Sequence, residues 1–176
     1  MPTLDRADLH VDIPSGWEGE IYSRGDAGQV VAAPPSRPSA DPQAFGTASE
    51  SGTSSPDTAG RTFVHLATFP LPADRADYGN GAVQLMGPDD IFIALLEHER
   101  EDATQPLFAP VGIPQLTAAD FRTDVLHRTL EGHSGHQRFF HVGDRAFCLY
   151  IVIGSHWNRS ELVPRVNQML AGLSIN

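Results

Sequence analysis

The segment GHSGHQRFFHVGDRAFCLYIVIGSHW, residues 132–157, carries four of the eight histidines, a serine and the chain's only cysteine. Imidazoles can hold zinc or nickel, a serine beside a histidine can act as a nucleophile with its base, and a thiolate can attack. Spacing decides which of these chemistries survives. Gly143-Asp144 separates two apolar runs, QRFFHV and RAFCLYIVI, and suits a two-residue type II′ turn. In that register Val142 faces Arg145, Phe140 faces Phe147, Phe139 faces Cys148 and His136 faces Ile151. Side chains alternate across a strand, so His136 and His141 point to opposite faces and one metal cannot take both. Cys148 falls among bulky neighbours on the Phe139 face, as a buried, inert thiol does. His133 and His156 come together at the open end of the hairpin, with His136 in reach if the glycine-rich lead-in bends. These three are the candidate metal ligands.

Ser134 stands in GHSGH, one residue away from the G-x-S-x-G nucleophile elbow, with His136 in place of the second glycine. The elbow needs a strand before the serine and a helix after it, whereas here a strand pattern follows. Glu97, Glu99 and Glu101 alternate with His98 and Arg100, so they would share a face if the strand continued. Such a face can take Mg²⁺ or Ca²⁺, or serve as a wet, charged strand end. All twelve basic residues are arginine, which removes P-loop, Schiff-base and Ser-x-x-Lys mechanisms. A net charge of −10 with no basic run disfavours nucleic acid and anionic membrane as partners. One cysteine excludes an intrachain disulfide and any multi-cysteine metal site. Neither a signal peptide nor an apolar run long enough for a membrane helix is visible, so the expected location is the cytoplasm.

These residues must be positioned by a scaffold. Leu9, Val11 and Ile13 alternate with polar residues, as do Trp17, Gly19 and Ile21, and the Pro14-Ser15-Gly16 turn between them predicts an opening hairpin. Residues 32–60 are rich in Pro, Ser, Ala, Gly and Thr with Phe45 as the one large apolar side chain, and read as a disordered insertion in a single domain spanning 1–176. RTFVHLATF (61–69) reads as a strand, and GNGAVQLMG as a short helical segment. The unbroken apolar run Ile91 to Leu96 suits a central strand covered on both faces or a buried helix, and the Gly-Pro before it and its β-branched content favour the strand. Thr117 to Asp120 has the form of a capping box. Leu162, Val163, Val166, Met169, Leu170 and Leu173 recur at helical spacing, with the regular part beginning at Pro164.

Three pieces together resemble the PsbP-like superfamily: the opening VDIPSGW (11–17), the long hairpin QRFFHV and RAFCLYIVI, and the helix VPRVNQMLAGLSI (163–175) running into a short last strand. The chain is also similar to actinobacterial proteins, and the lack of lysine suits a GC-rich genome. The resemblance implies a small antiparallel sheet sandwiched by helices and a non-enzymatic accessory role, and it places no ligand residue of the family. The expected fold is therefore α+β, an antiparallel sheet of five to seven strands packed by two or three helices. The expected function is binding another protein as an accessory or adaptor, without a cofactor. Trp17, Tyr22, Tyr78 and Trp157 are the candidate contact residues. The alternative is a metal-binding protein or hydrolase built around His133, Ser134, His136 and His156.

Overall fold

Period-2 patterning fixes which residues face each other across the sheets. A computed structural model describes residues 2–24 and 61–176, so the expected 32–60 insertion lies outside the described residues. In chain order the strands are β1 (Thr3–Arg6), β2 (Leu9–Asp12), β3 (Glu18–Arg24), β4 (Arg61–Ala67), β5 (Ile91–Glu97), β6 (Ser134–Val142) and β7 (Arg145–Ile153). They are followed by the helix α1 (Arg159–Ala171) and the strand β8 (Leu173–Ile175). The fold is α+β with two antiparallel sheets: a five-stranded sheet ordered β3-β4-β5-β7-β6 and a three-stranded one ordered β1-β2-β8. One α-helix stands among the described residues where two or three were expected; the other helical turns are short 3₁₀ pieces.

The run Ile91 to Leu96 is buried throughout and occupies the middle of the large sheet, as a strand covered on both faces must. On one face Val64, Leu66, Ile93, Leu149, Ile151 and Phe140 meet α1 and the small sheet through Val166, Met169, Leu9 and Val11. The other face carries Phe63, Phe92, Leu96, Cys148, Tyr150 and Val152. Irregular chain coats it, through Leu71, Tyr78, Val83, Met86, Leu126 and Leu130. The β6–β7 register is the one read from the sequence, Val142 opposite Arg145 through His136 opposite Ile151. Gly143 has φ +61° and Asp144 a negative φ, as a type II′ turn requires.

Three expectations are corrected. The first hairpin is β1–β2, closed at Ala7-Asp8, whereas β2 and β3 belong to different sheets, so the Pro14–Gly16 turn carries the chain from one sheet to the other. The helix starts five residues before Pro164, because the Asn158 carbonyl already accepts the amides of Glu161 (2.9 Å) and Leu162 (3.0 Å). Pro164 faces solvent, so water can serve the carbonyl that its missing N–H leaves free. The glutamates share no face, since the strand ends at Glu97 and a 3₁₀ turn begins at Arg100. Glu97 binds Arg145 Nε at 2.8 Å and Glu99 binds Arg61 at 3.0 Å.

Candidate ligand-binding site

The even-numbered residues of β7, Cys148, Tyr150 and Val152, point away from α1 toward the irregular coat. Over them the segments 76–84 and 126–130 leave a pocket of about 320 Å³. Its floor and walls are Val83, Leu126, Leu130 and Val152, and three aromatic rings close one side. His127 lies 4.3 Å from Tyr78 and 4.6 Å from Tyr150, centroid to centroid, and the two tyrosines meet edge to face at 5.5 Å. The Tyr150 hydroxyl also accepts the His127 amide at 3.2 Å, fixing that corner. Asp77, Asn80, Gln84 and Arg128 supply the polar rim. Arg128, Asn80 and Gln84 also line an adjoining open groove with Asp74, Arg75 and Gly81.

Gly79 makes this loop geometry accessible. Its φ is +77°, and a Cβ there would lie 2.3 Å from the Phe92 ring, so only glycine lets the loop lie this close to β5. Its neighbours Tyr78 and Asn80 are thereby delivered to the pocket wall.

A buried polar network anchors the same loop from behind. His65 on β4 is 0% exposed and takes a hydrogen bond from Arg75 Nε at its Nδ1, 2.8 Å. A guanidinium only donates, so Nδ1 is the bare nitrogen and Nε2–H donates to the Asp77 carbonyl at 2.8 Å. Arg75 also donates to the Pro72 carbonyl (2.7 Å) and to the Glu20 carboxylate. Burial, seconded by the positive charge of Arg75, lowers the His65 pKa to about 4 despite the opposing bond to Asp77. Burial shifts the three pocket rings toward their neutral forms as well: it pushes Tyr78 up to about 12, raises Tyr150 and lowers His127.

The residues singled out from the sequence divide accordingly. Tyr78 lines the pocket. Tyr22 instead stacks on Phe63 at 5.2 Å, Trp17 packs against the α1-side core, and Trp157 stands 87% exposed ahead of α1. The His133 and His156 segments do adjoin, since the His156 amide donates to the Gly132 carbonyl at 2.7 Å. The rings turn to separate backbone partners, His133 Nδ1 to the Glu131 carbonyl (3.0 Å) and His136 Nδ1 to the Asp120 carbonyl (3.1 Å). Among the described residues no three His, Cys, Asp or Glu side chains converge where they could hold a metal. His141 donates to the Phe108 carbonyl at 2.7 Å. Ser134 is 0% exposed, and its Oγ meets no hydrogen-bond partner among the described residues, neither a histidine nor a carboxylate. Cys148 is a buried free thiol whose pKa burial raises, the reverse of an activated nucleophile.

His127, Arg128 and Tyr150 did not stand out in the sequence. Tyr150 sits in a strand whose alternation assigns its face, but the residues it meets come from a stretch without periodicity. Comparison of the chain with protein-family models, with curated proteins and with solved structures finds no match. Among the described residues no helix is long and apolar enough to cross a membrane.

Proposed function

We propose that the protein is a non-enzymatic binding protein of the cytoplasm, and that its ligand seat is the pocket walled by Tyr78, His127 and Tyr150. The observation that carries this reading is the union of three aromatic rings with four aliphatic side chains around about 320 Å³, bordered by a few polar groups. Small-ligand sites have this composition, and the volume falls within their usual range of roughly 300–1,000 Å³. A lone cysteine kept as a buried thiol fits a reducing compartment. The accessory role implied by the PsbP-like resemblance draws support from the strand before Trp17, the long hairpin, and a helix running into a last strand. Trp157, at 87% exposed, favours a protein partner as a second reading, because a solvated indole is a ready interface anchor.

Amide NMR spectra recorded against uncharged naphthalene alcohols test the pocket. Shifts should concentrate at residues 76–84, 126–130 and 150–152. They should vanish in Ala76→Trp, an exposed rim position where an indole blocks the mouth without entering the core. Shifts spread elsewhere, or unchanged in Ala76→Trp, would reject the pocket as the seat.

A further inference from the structure

The charge pattern at the pocket mouth identifies the chemical class of its occupant, given that the pocket is the ligand seat proposed above. Ten arginine side chains are described. Five hold carboxylates: Arg61 on Glu99, Arg75 on Glu20, Arg100 on Asp144, Arg122 on Asp124 and Arg145 on Glu97. Two more hold carbonyls, Arg159 on His156 (2.6 Å) and Arg165 on Asp89 (3.0 Å). Arg6, Arg128 and Arg138 are left without such a partner among the described residues, and of these three only Arg128 lines the pocket. Of the five described arginines that hold no described carboxylate, Arg128 is the one that lines the pocket.

Arg128 also borders both the aromatic pocket and the open groove, so a head group held by it would sit at the junction, with its body in the pocket and its far side toward water. The other groove cation, Arg75, is already matched by Glu20. Beside Arg128 the pocket lining carries one carboxylate, that of Asp77. We infer that the pocket takes a small amphipathic monoanion, an aromatic or aliphatic body with a carboxylate-like head that pairs with Arg128. The planar fork of arginine suits a carboxylate through two parallel hydrogen bonds. The nearby apolar wall strengthens that pairing by lowering the local dielectric.

Calorimetric titration with naphthylacetate, naphthylethanol and naphthylethylamine isolates the head group while keeping the body constant. Wild-type protein should bind the acid roughly tenfold more tightly than the alcohol, and the amine most weakly, as one charge-assisted hydrogen-bonded contact warrants. Arg128→Gln should bring the acid down to the level of the alcohol and leave the alcohol unchanged. Residue 128 is exposed, and an unaltered melting temperature checks that the variant folds. Equal binding of acid and alcohol, or tightest binding of the amine to the Asp74 and Asp77 side, would overturn the anion preference while leaving the pocket standing. Binding of none of the three would remove the pocket reading and this inference with it.

Discussion

His65 shows how one side chain couples the pocket loop to pH. It is neutral in the folded state because burial leaves no room for a second positive charge beside Arg75. In the unfolded chain its pKa returns to 6.5. Below that value the unfolded state binds a proton that the folded state refuses, so stability falls as pH drops and continues to fall to about 4. Across that window the loss attributable to His65 should be on the order of 3 kcal/mol. Urea denaturation at a series of pH values should show this slope in the wild type and a shallower one in His65→Gln. Equal slopes would show that His65 is not the group responsible. At the acid end, protonated Nδ1 can no longer accept from Arg75, so the loop bearing Asp77 and Tyr78 should be the first part to loosen.

At the scale of elements, the turn between β1 and β2 is built from unfavourable residues. Ala7 and Asp8 have φ of +50° and +58°, the left-handed pair that a type I′ hairpin demands and that Asn-Gly satisfies best. A non-glycine residue held there costs about 1–2 kcal/mol. Asp8→Gly should therefore stabilise the protein by about 1 kcal/mol, raising the midpoint of urea unfolding without changing its slope. A neutral or destabilising result would show that the turn relaxes in solution. The same turn explains why this hairpin was illegible in the sequence. Thr3–Arg6 has one apolar residue, Leu4, and the loop carries neither glycine nor asparagine, so Leu9–Ile13 appeared to pair forward across Pro14–Gly16 instead. Where the local signal was strong, it held: Gly143-Asp144 with flanking alternation gave the β6–β7 register residue for residue. The pocket was legible only at Tyr78. Its rings arrive from segments 76–84, 126–130 and β7, and no period within 126–130 announces that His127 will lie between two tyrosines.

Over the whole molecule, Arg145 adds a polar tie to the apolar packing of the two sheets. Arg145, 8% exposed, donates to Glu97 on the neighbouring strand (2.8 Å), to the Ala7 carbonyl in the first turn (3.0 Å) and to the Asn176 carbonyl beyond β8 (3.3 Å). Its guanidinium also lies 5.2 Å from the centre of the Phe147 ring. Arg145→Met should destabilise by about 3 kcal/mol or more, because Glu97 is left as a largely buried, unpaired carboxylate. Adding Glu97→Leu should recover most of that loss, since two well-packed apolar residues can replace a buried pair. Denaturation of the single and double variants measures both, and a double variant no better than the single would assign the loss to the carbonyl contacts instead.

The pairing of β2 with β8 sets an order of events during synthesis. Leu9–Asp12 is made long before Leu173–Ile175, which completes its sheet. Closing a loop of that length is entropically slow. Until β8 is in place, the edge of β2 that it covers has no partner in the small sheet.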